Sequence, residues 1–214
     1  MTIITKPVEY KDGKQKCVGY MAWDESYADP KPCVIISHAW SGLDGFAQDK
    51  AVEMAANGYV GFCLDNYGDG ALPETVEEKQ GMMMPLKNDR AKLLKRLKAG
   101  IKAAKALPQV DEKHVAIMGF CFGGLCTLDA ARSGMNLKAA ISFHGLLDAP
   151  DLPKKKIKAK VLVAHGWDDL WLLQHTSMHW LKNLRLQNAT GISWLSGKRP
   201  MLLWFRAQIA ATER

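Results

Sequence analysis

The sequence predicts an α/β fold: one doubly wound, mostly parallel sheet with helices on its faces. Three observations carry that expectation. Short apolar runs alternate with helical patterns at intervals of about 30 to 40 residues, the signature of βαβ units. A strand, a sharp turn and a helix meet at Gly119-Phe120-Cys121-Phe122-Gly123-Gly124. The length, 214 residues, suits one α/β domain with a sizeable core.

The elements follow in order. Residues 3–9 and 17–23 read as an antiparallel pair joined by Lys11-Asp12-Gly13-Lys14. Residues 32–38 form a buried strand that ends in the loop 39–45. A helix from about Ala47 to Ala56 stops at Asn57-Gly58, a C-terminal signal. Residues 59–65 are the next strand, and Asn66-Tyr67-Gly68-Asp69-Gly70 its loop. The stretch 71–87 reads as irregular or a partial helix, with Met82, Met83 and Met84 as core filler. Residues 88–106 are an amphipathic helix with Leu93, Leu94, Leu97 and Ile101 on one face and solvated lysines opposite. Strands follow at 114–118, 137–145 and 158–166, with Lys154, Lys155 and Lys156 in a solvated connection.

Cys121 sits where the chain turns from strand to helix. Glycines on both sides remove the Cβ atoms that would clash, which is the G-x-S-x-G nucleophile elbow with sulfur in place of oxygen. The following helix points its N-terminal dipole at the thiol and favours thiolate. The Phe122 amide is placed to bind a developing oxyanion. A lone cysteine would read as a small buried hydrophobe; the flanking glycines between strand and helix make this one a candidate nucleophile.

Composition narrows the function further. Five cysteines, at positions 17, 33, 63, 121 and 126, form no metal-ligand or redox spacing and read as reduced thiols of a cytoplasmic enzyme. The N-terminus has no signal-peptide pattern, and no run reaches the roughly 20 apolar residues of a membrane span. The formal net charge is +7. Residues 170–214 hold six Lys/Arg and one acid, so most of that charge lies in one segment and no nucleic-acid partner is expected. The same segment holds four of the seven tryptophans, Trp171, Trp180, Trp194 and Trp204, a break in composition. No dinucleotide or Walker-type glycine loop is present, and neither metal nor organic cofactor is expected.

Taken together, Ile-Ile-Ser-His-Ala-Trp-Ser-Gly at 35–42, Leu-Asp-Asn-Tyr-Gly at 64–68, Gly-Phe-Cys-Phe-Gly-Gly at 119–124 and His-Gly-Trp-Asp-Asp at 165–169 resemble the dienelactone hydrolase family over residues 1–169. The resemblance implies the α/β-hydrolase fold, a small lactone or activated ester as substrate, and a Cys, Asp, His triad in chain order. Cys121 then matches the nucleophile and Asp169 the acid, with Asp168 its neighbour on the turn. The second oxyanion donor falls on the backbone N–H of Trp40. The family carries a glutamate just before that donor, and this chain has Ala39. His38 either lines the pocket or is a hydrogen-bonded strand-end residue. No carboxylate-binding arginine is assigned, and Arg90 reads as solvated. The sequence does not set the oligomeric state.

Residues 170–214 depart from that pattern. The family ends in a strand and a loop with a motif like Phe-Gly-x-Thr-x-His-Ala-Phe, and no such motif is present. Leu170-Trp171-Leu172-Leu173-Gln174 can be encoded so that one restored base reads Pro-Met-Ala-Pro-Pro, which the family commonly carries there. The same shift permits Phe-Gly-Lys-Thr-Pro-His-Ala-Phe-Met-Val over residues 196–205. Its histidine spans the codons of Pro200 and Met201. We therefore read residues 1–169 as the hydrolase domain and residues 170–214 as out-of-frame translation. The C-terminal part of the fold, including its last strand, is expected to be missing or disordered. In the alternative, the tail is divergent and His175 or His179 serves as base. A catalytically impaired protein that binds a ligand or partner is the second functional expectation.

Overall fold

The computed structural model describes residues 1–153, 155–166 and 193–197, without the side chains of the last seven of these. Its eight-stranded sheet has the order β1-β2-β4-β3-β5-β6-β7-β8. The hairpin of β1 (Ile3–Asp12) and β2 (Gln15–Asp24) reaches further toward its turn than the apolar pattern implies, and β2 runs one residue further at its end. Its turn places Gly13 at φ +60°, where a side chain is disfavoured. Strand β2 pairs antiparallel with β4 (Val60–Leu64), and every later pairing is parallel. Strand β3 (Lys31–Ser37) lies between β4 and β5 (Val110–Phe120), so its end sits mid-sheet. β6 (Ala139–Phe143) and β7 (Lys160–Gly166) extend the same edge.

Helix α1 (Gly45–Ala56) begins at Asp44, whose carboxylate accepts from the Ala47 N–H. It buries Ala47, Ala51 and Ala55, one small residue per turn. That stripe lets the backbone approach β4: a Cβ at Gly61 would lie 2.2 Å from the Ala51 carbonyl oxygen. On the other face, α3 (Arg90–Lys105) and α4 (Phe122–Arg132) cover a core of Phe62, Leu93, Leu97, Ile117, Leu125 and Leu128. Each of these large side chains contributes about 1.5–3 kcal/mol through burial. The lysine-rich face of α3 is solvated, as its pattern implies.

Four expectations need correction. Residues 76–88 form a full helix, α2 (Val76–Asn88), closed at its start by a capping box between Thr75 and Glu78. Pro85 lies inside its last turns, at the expense of one backbone hydrogen bond. Met82 and Met84 are exposed on α2, and only Met83 packs against the core. Arg90 is buried, 8% exposed, rather than solvated. Finally, the last strand is present: β8 (Ser193–Gly197) pairs parallel with β7, from Leu162↔Ser193 to Gly166↔Gly197. The rest of residues 167–214, with Asp168, Asp169, His175 and His179, lies outside the described residues.

Candidate active site

Between β5 and α4 stands one residue, Cys121, at φ +54° and ψ −114°. A non-glycine residue in the left-handed region is strained and is held there only by its surroundings. Those surroundings are identifiable. The Cys121 N–H donates to the Phe143 carbonyl on β6 at 3.0 Å. The Cys121 carbonyl accepts from Gly124 at 3.0 Å and Leu125 at 3.3 Å, which starts the helix. A Cβ at Gly119 would lie 2.1 Å from the Gly123 carbonyl oxygen, and one at Gly123 would lie 2.0 Å from that of Ser37. Both glycines are therefore required by backbone contact. The four other cysteines are buried, and Cys121 is half-buried. Burial pushes the Cys17 thiol up to about 11 and the Cys33 thiol up to about 12. It raises Cys63 and Cys126 further still.

Phe122 is the first residue of α4, whose opening amides have no carbonyl one turn earlier to bond. The Gly123 contact with Ser37 sets the first turn of α4 against the end of β3. The loop after β3 carries Trp40, so the structure brings Cys121, Phe122 and the Trp40 loop to one place on the carboxyl edge. Ligands bind at this edge in open α/β sheets. β7 delivers the chain to the same edge at Gly166; Asp169, three residues on, is outside the described residues.

The loop is held from below. His38 is 1% exposed; its Nδ1 lies 2.6 Å from the Ala39 carbonyl oxygen, and its Nε2 accepts the Asn66 N–H at 3.2 Å. It is thus the hydrogen-bonded strand-end histidine and not a pocket residue. Burial pulls its pKa below the usual value. The Tyr67 hydroxyl donates to the Trp40 carbonyl at 2.7 Å, and its ring stacks on Phe122 with centroids 6.2 Å apart. Burial, then the nearby sulfurs of Cys126 and Cys121, raise the Tyr67 phenol and keep it a donor. Asp65 shapes this second loop by accepting the N–H groups of Val18, Gly68 and Gly70 at 2.7–2.9 Å.

A buried ionic network sits behind α4. Arg90 grips Asp129 through Nε at 2.6 Å and Nη2 at 3.0 Å, and reaches the Asp148 carboxylate at 2.8 Å. Arg132 donates to Asp129 at 3.3 Å and to the Leu147 carbonyl at 3.0 Å. The network ties the start of α3 and the loop after β6 to the elbow helix. Arg90 is committed to it and is not placed to bind a substrate carboxylate.

Sequence reasoning gave no role to Tyr67 or to His144. Tyr67 belongs to Leu64-Asp65-Asn66-Tyr67-Gly68, and an aromatic residue in a loop at the sheet's carboxyl edge is its one visible signal. His144 directly follows β6, exposed, at φ +52°. Its N–H donates to the Ala164 carbonyl on β7 at 2.9 Å, and β6 itself lies next to β5, the strand that leads into Cys121. Nothing in its local pattern marks it.

The comparisons with known proteins agree with this fold. The model of the dienelactone hydrolase family matches residues 18–191. A solved dienelactone hydrolase-like promiscuous phosphotriesterase from metagenomic libraries is 31% identical, with a TM-score of 0.87 over 92% of this chain and 82% of its own. An uncharacterized protein of Caenorhabditis elegans is 34% identical over 50% of this chain and 70% of its own. A Bradyrhizobium protein named as a 2-oxo-3-(5-oxofuran-2-ylidene)propanoate lactonase is 27% identical over 55% of this chain; the match spans 47% of that relative's length. Among the described residues no helix is long and apolar enough to cross a membrane. By the family match, the sheet order and the cysteine elbow, the chain belongs to the dienelactone hydrolase family.

Proposed function

We propose that the protein hydrolyses a lactone or activated ester through a thioester on Cys121. The Cys121 sulfur attacks the carbonyl carbon, and the carbonyl oxygen becomes an oxyanion held by the Trp40 and Phe122 N–H groups. Collapse expels the alkoxide and leaves the thioester. Water then attacks the thioester and releases the acid. Asp169 would orient a histidine that is not evident in this reading frame, and that imidazole would take the thiol proton and return it to the leaving alkoxide. The observation that carries this reading is the strained backbone of Cys121 at a strand–helix junction, on the one thiol of five that is not buried.

Hydrolysis of small aryl esters by the parent, Cys121→Ser and Cys121→Ala tests it. The alanine variant should lose activity to background. Full activity in that variant would remove Cys121 from the mechanism. A phosphotriester is a useful second probe, because the solved relative is described as a promiscuous phosphotriesterase.

A second reading, an impaired hydrolase that binds a ligand or partner, is favoured by one observation: residues 198–214 contain no histidine. We further propose that residues 170–214 are out-of-frame, which accounts for that absence. Reading the gene through the codons of Asp169 and Leu170 decides the matter. An uninterrupted frame in a catalytically active protein contradicts the frameshift.

A further inference from the structure

The loop that carries Trp40 is fixed at two successive peptide groups, each by a different side chain. The Ala39 carbonyl oxygen lies 2.6 Å from His38 Nδ1. A carbonyl can only accept, so Nδ1 bears the hydrogen. The Asn66 amide can only donate, so Nε2, 3.2 Å away, is bare. Its two partners therefore assign His38 as the neutral Nδ1–H tautomer. The Ala39 carbonyl and the Trp40 N–H belong to one planar trans peptide, so holding the oxygen aims the hydrogen in the opposite direction. The next peptide is held by the Tyr67 hydroxyl on the Trp40 carbonyl at 2.7 Å.

The two clamps share a foundation. The His38 and Tyr67 rings meet edge to face with centroids 4.7 Å apart. Asn66 also donates from Nδ2 to the Ser37 hydroxyl at 2.8 Å, and its carbonyl accepts from Arg96 at 3.0 Å. Arg96 is in turn held by Asp12 at 3.0 Å. A line of hydrogen bonds thus runs from α3 and the β1 hairpin, through the loop after β4, to the Ala39–Trp40 peptide. His38 is its last member and, at 1% exposure, has no solvent in which to turn.

We propose that His38 is a positioning residue for acyl transfer: its Nδ1–H fixes the Ala39–Trp40 peptide so that the Trp40 N–H meets the oxyanion, with Tyr67 as the second fixing point. The inference rests on the reading of Cys121 and Trp40 given above and adds a residue that never touches substrate. It makes a distinction that a merely structural histidine would not make. Alkylation of Cys121 by iodoacetamide is a displacement at carbon: a C–S bond forms, iodide leaves, and no oxyanion develops. Acylation by p-nitrophenyl acetate forms the same sulfur–carbon bond at a carbonyl, passes through an oxyanion and expels p-nitrophenolate. That leaving group needs no proton, so this step reads oxyanion stabilisation even where proton transfer is poor.

Both rates are to be measured on the full chain for the parent, His38→Ala, His38→Asn and Tyr67→Phe. His38→Ala should slow acylation about 10²-fold, the scale set by a misaimed group of about 1 Å, and change alkylation less than twofold. His38→Asn, whose Nδ2 can replace the lost donor, should recover acylation to within about tenfold of the parent. Tyr67→Phe should slow acylation and spare alkylation, and it reads the clamp if the alanine variant does not fold. Acylation unchanged in His38→Ala and Tyr67→Phe, or both reactions falling together, would overturn the proposal. A parent whose Cys121 neither alkylates faster than an ordinary thiol nor acylates would overturn the nucleophile itself, a different result from either.

Discussion

At the scale of single residues, thiols of the same chemistry are separated by their surroundings alone. Cys17 and Cys33 are removed from water and held as thiols, whereas Cys121 stands at the dipole of an eleven-residue helix. His38 shows the converse effect on a base. Burial disfavours its imidazolium and the Ala39 carbonyl acts against that, with the pKa still below the ordinary 6.5. An unfolded chain binds a proton at His38 near 6.5, and the folded chain only at lower pH. Stability therefore rises with pH over that interval; the contribution is complete above 6.5 and is lost as the pH falls. Urea unfolding between pH 7.5 and 5 should show a slope for the parent that exceeds that of His38→Asn by up to about 1.4 kcal/mol per pH unit. Equal slopes would mean that the imidazole is not held neutral by the fold.

At the scale of elements, the elbow was legible and the network behind it was not. Gly119, Gly123 and Gly124 around Cys121 specify a turn by what they omit, and the contacts at 2.0–2.1 Å explain the first two. Helix α2 was obscured by Gly81, Pro85 and three methionines, all poor evidence of an amphipathic period. Its one legible signal was Thr75-x-x-Glu78. Arg90 reads as solvated at a helix start because its partners, Asp129 and Asp148, are 39 and 58 residues away. Asp129 within an otherwise apolar run was the available hint. Removing it leaves Arg90, at 8% exposure, with only the half-exposed Asp148 carboxylate for a counter-charge, and Arg132, at 4%, with the backbone carbonyls of Leu147 and Asp148. Breaking a buried pair in this way costs about 3–5 kcal/mol. Asp129→Ala should therefore lower the urea midpoint at pH 7 by a corresponding amount, while Lys16→Ala, whose partner Glu9 is on the exposed hairpin, should change it little.

At the scale of the whole molecule, the sheet and the reading frame bear on each other. β8 closes the sheet at Gly197. The resemblance calls for a histidine in the loop after the last strand, at the edge where Cys121 stands. The frame as written offers Lys198, Arg199, Pro200 and Met201, with no histidine through Arg214. The shifted frame places histidine across the codons of Pro200 and Met201, three to four residues beyond the end of β8 at Gly197. Sequence alone led to the motif and its spacing. It did not supply the strand end, because Ser193–Gly197 has no apolar run to mark it and takes its place only by pairing with β7. A gene repaired by one base ahead of Leu170 should encode a protein whose kcat/KM on an alkyl lactone exceeds that of the present chain by about 10²–10⁴-fold, the contribution of a positioned general base. The gain should be far smaller on p-nitrophenyl acetate, whose leaving group departs unprotonated. Equal gains on both substrates would point to better folding and not to a restored base. No gain on either would leave the base to be supplied within the frame as written.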